Sequence, residues 1–153
     1  MSIRSDGLER FVVAQALCYG AVLDELHAGR KTSHWMWFVF PQLAQLGRSE
    51  TAKLYGLADA AEARAYALHP VLGPRLAECA DAVLATSGRT AHQIFGSPDD
   101  LKLCSSMTLF ERVWPESSVF ADVLDRFYEG RRDLATIALL DNSDQRTQRT
   151  QRG

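Results

Sequence analysis

The residues best equipped for chemistry fall in one short stretch, Arg30-Lys31-Thr32-Ser33-His34, followed at once by Trp35-Met36-Trp37. Two cations precede a helix start whose first turn holds no acidic residue. The unpaired backbone N–H groups of such a start, together with the helix dipole, attract anions. An indole face stacks on a planar ring such as a base. Phosphate grip beside an aromatic platform is what a nucleotide-like ligand requires. In that reading Arg30 and Lys31 supply charge, with Lys31 projecting into solvent, and Trp35 or Trp37 stacks on the ligand. Gln15 and His34 orient it, with Ser33 and Gln42 beside them. The same residues admit a plainer reading, in which Ser33 is an N-cap, His34 a hydrogen-bonded helix-start residue and the tryptophans core. Six consecutive apolar residues, Trp35 to Phe40, ordinarily mean burial.

A second polar cluster comprises Asp99, Lys102, Ser105, Ser106 and Thr108. The first four lie three or four apart along one helix, so their side chains are neighbours. Ser-Ser-x-Thr inside a helix competes for backbone hydrogen bonds and calls for a non-local partner. A serine–lysine nucleophilic pair lacks any identifiable oxyanion donor or base here, so close helix–helix packing is the preferred account. The acids Asp99 and Asp100 argue against anion binding at this helix start. Gln15, Gln42 and His69 are single polar residues on apolar faces, a pattern that more often marks satisfied core groups. Glu9 is a first-turn acid and the one weak catalytic candidate.

The elements that must position these residues are helical. The spacing of Leu8, Phe11, Val12, Gln15, Tyr19, Val22, Leu23 and Leu26 predicts one helix, capped by Asp6 and closed by Gly29 at C′. From Ser33 to Phe40 no period separates buried helix from buried strand, and Pro41 ends the element. Ser49 opens a short helix reaching about Leu57, and Asp59 opens another ending before Pro70. An amphipathic stretch from Val71 to Leu84 follows, broken at Ser87-Gly88, and Thr90 starts a single turn carrying Ile94 and Phe95. Ser97-Pro98-Asp99-Asp100 reads as N-cap, N1 proline and acidic first turn. Two last helices carry Val119–Phe127 and Leu134–Leu140. Almost nothing alternates at period two, so the expected class is all-α: a compact multihelical domain over residues 1–140.

From Asp141 onward no apolar residue occurs, and a tail over 141–153 that buries nothing is expected to be disordered. With 153 residues, 46% hydrophobic and 24% charged, the chain has ordinary globular composition. A formal charge of −2 offers no general attraction for nucleic acid or anionic membrane, so a nucleic-acid role would need a local patch. Cys18, Cys79 and Cys104 are scattered among apolar residues, as expected of small buried hydrophobes in a reducing, cytoplasmic compartment. There is no CxxC and no histidine pair at i,i+4, so neither metal nor cofactor is expected. The polar N-terminus carries no signal-peptide core, and no apolar run approaches membrane length. Nothing in the composition sets an oligomeric state.

Lys31-x-Ser33-His34-Trp35-Met36-Trp37-Phe38-Val39-Phe40-Pro41-Gln42 resembles the bacterial family DUF1810. So do Leu46-Gly47-x-Ser49, Glu62-Ala63-x-x-Tyr66 and His69-Pro70-Val71-Leu72-Gly73-x-x-Leu76. The likeness continues through Ile94-Phe95-Gly96-x-x-Asp99-x-x-Lys102 and Ser105-Ser106-Met107-Thr108-Leu109-Phe110, covering most of residues 8–140 in order. It implies a small multihelical fold and supplies no activity. A fainter likeness, Glu9-x-Phe11-x-x-Ala14-Gln15 with His69-Pro70-x-Leu72, is to the NADAR families that act on ADP-ribose-linked compounds, and it implies a catalytic role for Glu9. The expectation is therefore a helical domain that binds or processes a small anionic nucleotide-derived ligand of the ADP-ribose type. Its alternative is a non-catalytic protein-interaction module whose aromatic run is entirely core.

Overall fold

The computed structural model describes residues 3–142, with side chains from Gly7 onward. It is helical throughout, and the only extended pairing among the described residues is a single parallel bridge between Leu43 and Leu57. The elements are α1 (Ile3–Ala16), α2 (Tyr19–His27), α3 (Met36–Val39), a 3-10 turn (Ala44–Leu46), α4 (Glu50–Leu54), α5 (Ala60–Leu68), α6 (Leu72–Ala85), α7 (Ala91–Phe95), α8 (Asp99–Val113) and α9 (Val119–Phe127). A last helix, α10, spans 134–142. Among the described residues no helix is long and apolar enough to cross a membrane.

Local chemistry explains most boundaries. Ser49 and Asp59 accept hydrogen bonds from the amides of Ala52 and Glu62, and Thr90 forms a reciprocal capping box with Gln93. The C-terminus of α2 closes on Gly29 at φ +73. Arg30 N donates to Glu25 O and Gly29 N to Leu26 O, the two bonds of a Schellman cap that only a left-handed residue completes cheaply.

Four expectations need correction. The first predicted helix is two, because the chain turns at Leu17-Cys18; Asp6 lies inside α1, which begins at Ile3, and so does not cap it. α4 ends at Leu54, short of Leu57, because Leu57 N and O are committed to Gln42 O and Ala44 N in the bridge. Ser97 does not cap α8: Pro98 holds that position with no side-chain cap, and Asp100 Oδ1 takes the Leu101 amide instead. The domain boundary at 140 falls within α10, where Asp141 pairs with Arg112 at 2.9 Å. The rest of the expected tail, 143–153, lies outside the described residues. Of the cysteines, only Cys79 is fully buried; Cys18 and Cys104 are half-buried.

α8 runs through the centre, packed on α5, α7 and α9, while α6 covers α2, α5 and α9. Aromatic contacts link these layers: Phe11 meets Tyr66 edge-on at 5.1 Å, Tyr66 meets Phe110 at 5.6 Å, and Phe110 meets Phe120 at 5.8 Å. A second trio, Trp35, Phe40 and Phe95, pins the 35–40 segment to α7 with centroids 6.2–6.4 Å apart. α6 can approach α5 this closely because Gly73 lacks a side chain; a Cβ there would lie 2.1 Å from Ala67 O.

Candidate functional site

The turn from 30 to 35 is organised by a residue that the sequence reading did not single out. Glu25, in the last turn of α2, reaches across to the chain preceding α3. Its Oε1 accepts from Thr32 N (2.7 Å), Ser33 N (3.0 Å) and Trp35 Nε1 (2.9 Å), and its Oε2 from the Ser33 hydroxyl (2.5 Å). Burial by itself would raise the Glu25 carboxyl. The hydrogen bonds from the Ser33 hydroxyl, the Thr32 amide and the Trp35 indole outweigh that, and it is lowered to about 2. The anion expected at the start of α3 is thus a carboxylate of the protein itself. Ser33 serves that carboxylate and caps nothing in α3, whose N-cap position is Trp35.

Trp35 is enclosed, 1% exposed, so it offers no face to a ligand. Lys31 does not project into solvent: its side chain is 7% exposed, its ammonium lies 2.8 Å from Asp99 and 5.2 Å from the Trp35 ring centroid, and its amide donates to Ile94 O. Arg30 is exposed and lines neither cleft described below. Gln15 is buried in a different place, where its Nε2 donates to Phe38 O (2.7 Å) and Tyr66 Oη (2.9 Å). His69 caps α6 by accepting from Val71 N and Leu72 N at Nδ1. Glu9 is exposed on α1.

The fold brings part of each predicted cluster to one pocket. The 31–37 segment faces the start of α8 across a pocket of about 400 Å³ whose walls include Lys31, His34, Trp37, Ser97, Asp99 and Lys102. Trp37 is half-buried there, with the Lys102 ammonium 5.3 Å from its ring centroid. Asp99 sits between the two lysines, 2.8 Å from Lys31 and 3.6 Å from Lys102. The result is two lysine–indole pairs either side of one carboxylate. Each ammonium gains from the ring quadrupole, and Asp99 keeps the pair of cations together.

Lys102 also lines a larger cleft of about 910 Å³ on its other side, walled by Gln42, Arg48, Leu101, Arg131 and Leu134. Gln42 lines this second space and also, with Trp37 and Lys102, a small cavity, and its carbonyl is committed to Leu57 N. The rest of the serine–threonine cluster has a structural task. Thr108 Oγ1 accepts from Asp133 N (2.9 Å) and donates to Cys104 O (2.8 Å), while the Ser105 hydroxyl donates to Asp133 Oδ2 (3.1 Å). That carboxylate in turn caps α10 through the amide and hydroxyl of Thr136. Ser106 points into the core and its hydroxyl has no hydrogen-bond partner.

Sequence reasoning missed Glu25, Arg48, Arg131 and Asp133. Glu25 and Asp133 leave a local trace: an acid in the last turn of a helix opposes the dipole and implies a compensating partner elsewhere, and an aspartate directly before a helix start is an N-cap signal.

A family model described as "Protein of unknown function (DUF1810)" matches residues 5–140. The fold is similar to the crystal structure of the conserved hypothetical protein Rv1873 from Mycobacterium tuberculosis, with a TM-score of 0.87 and 54% identity over 88% of this chain and 96% of that one. No curated protein matches the chain.

Proposed function

The chain belongs to the DUF1810 family, and we propose that it is a ligand-binding domain for a small anionic, nucleotide-derived compound of the ADP-ribose type. The site is the pocket between the 31–37 segment and the start of α8, not a pocket shared with α1. One observation carries the reading: Trp37, the one indole of the segment that is not enclosed, lines a pocket with Lys31, Lys102 and His34. An aromatic wall and three groups able to bear positive charge are what a planar ring joined to a phosphate needs. A volume of about 400 Å³ lies within the range of small-molecule sites, at the size of a mononucleotide.

The roles follow from position. Trp37 stacks. Lys102 gives the principal charge, since its side chain is 24% exposed against 7% for Lys31. Asp99 holds both lysines in place and tunes the site against highly charged ligands, because its own carboxylate repels them. His34 and the Ser97 hydroxyl orient the remaining polar groups. The geometry supports binding, and Glu9 is not among the residues that line this pocket.

The test titrates AMP and ADP-ribose into the protein while following intrinsic tryptophan fluorescence and thermal unfolding. Saturable quenching is expected, together with a stabilisation that reaches about 2.7 kcal/mol at a hundredfold excess over Kd. Lys102→Ala is expected to weaken binding about tenfold and Trp37→Leu to abolish the quench, both with the fold intact by circular dichroism. Binding that ignores Lys102→Ala and added salt would refute this pocket.

A further inference from the structure

We infer that the larger cleft beyond Lys102 is a docking groove for an acidic, amphipathic segment of another protein. Its first feature is apolar. Leu101 and Leu134 stand in the first turns of two different helices, α8 and α10, and both line the cleft while 64% and 78% exposed. A lone exposed leucine is unremarkable, but two on one concavity floored by Phe127 and Tyr128 form an apolar surface awaiting cover.

The second feature is charge, and it selects the occupant. The lining holds Arg48, Lys102, Arg131 and Arg132 against Glu129 and Asp133. That is a positive surface in a chain whose formal charge is −2. Internal pairing cancels part of it, since Lys102 lies 3.6 Å from Asp99, but not all. Arg132 is paired with Glu111 (2.5 Å) and Asp125 (3.0 Å) and so adds little net charge, and Asp133 is spent on capping α10. Among the described residues Arg131 pairs with Glu129 alone, at 3.7 Å, both side chains more than 80% exposed, a pair of little strength. Arg48 is exposed and has no ion-pair partner among the described residues. Arg48 and Arg131 beside two open leucines fit a segment carrying carboxylates beside apolar anchors at helical spacing. A nucleic acid would answer the charge but leave the leucines uncovered. The inference does not depend on the Trp37 pocket, with which it shares Pro98 and Lys102 but neither leucine nor arginine.

The experiment uses the full chain and a fluorescein-labelled peptide of about twelve residues, or three helical turns. The peptide carries leucine at i, i+4 and i+7 and glutamate and alanine elsewhere. Fluorescence anisotropy is expected to show saturable binding that weakens with salt. Binding should be about tenfold weaker for a scrambled peptide and for one with lysine replacing glutamate, as loss of register or charge sign dictates. The double variant Leu101→Ser/Leu134→Ser and, separately, Arg131→Glu should each lower affinity about tenfold. These side chains are exposed, so both variants keep the wild-type circular dichroism spectrum. Absence of saturable binding overturns the inference. So does equal binding of the scrambled peptide, or indifference to both variants. Tighter, Arg131-dependent binding of a labelled single-stranded oligonucleotide overturns it in favour of nucleic acid.

Discussion

Removing the Glu25 carboxylate should destabilise the domain in a strictly pH-dependent way. Four donors converge on it: the amides of Thr32 and Ser33, the Ser33 hydroxyl and the Trp35 indole. A carboxyl at about 2, against 4.5 for an unperturbed one, corresponds at full weight to about 3 kcal/mol of folding free energy. The group is only half-buried, and solvent screening reduces this to about 1–2 kcal/mol. Its pKa is depressed on folding, so the contribution is fully present above the unfolded value near 4.5. It is lost as pH falls towards 2. Glu25→Gln keeps one acceptor oxygen but cannot accept from all four donors, and should cost about 1–2 kcal/mol at pH 7. Glu25→Ala leaves every donor unmet and should cost about 2–4 kcal/mol. Urea unfolding of the wild type and of Glu25→Gln, run side by side from pH 7 to pH 2.5, isolates the effect, because other carboxylates cancel in the difference. The difference should shrink steadily below pH 4.5, to about a quarter of its pH 7 value near pH 2.5. A constant difference across that range, or none at pH 7, would refute the assignment of Glu25 as the internal anion of this turn.

The two tryptophans of the aromatic run should separate in the same assay. Trp35→Ala removes an enclosed ring and should cost about 3–5 kcal/mol, whereas Trp37→Ala, at a pocket wall, should cost less than about 2 kcal/mol; equal costs would mean Trp37 is core after all. Ser106→Ala deletes a buried hydroxyl without a partner and should stabilise by about 0.5–1 kcal/mol, read as a higher urea midpoint; a loss of stability would reveal a bridging water or other partner for that oxygen.

Much of the architecture was legible because it is local. Ser49, Asp59 and Thr90 cap the helices they were expected to cap, and Gly29 ends α2, since each of these contacts spans only a few residues. The apolar spacing along α6, α8 and α9 likewise announced which faces are buried, as Leu76, Cys79, Leu103, Met107, Phe110 and Phe120 confirm. The turn at Leu17-Cys18 carries no glycine or proline to betray it. It is set by long-range partners on either side: Gln15 bonds Phe38 O and Tyr66, and Tyr19 bonds Glu78.

The candidate site was half legible for the same reason. Residue types alone marked the 30–37 stretch and the Asp99–Thr108 cluster as unusual, and the fold sets Lys31, His34 and Trp37 of the first across one pocket from Asp99 and Lys102 of the second. Which of the two tryptophans stays accessible, and whether Lys31 is free or paired, turned on contacts far apart in the chain. Glu25 takes the Trp35 indole, and Asp99 takes Lys31 across an interval of sixty-eight residues. A helix period reports which face of a helix is apolar. It carries no information about which distant carboxylate that face will meet, because charge pairing depends on where the packed helices cross.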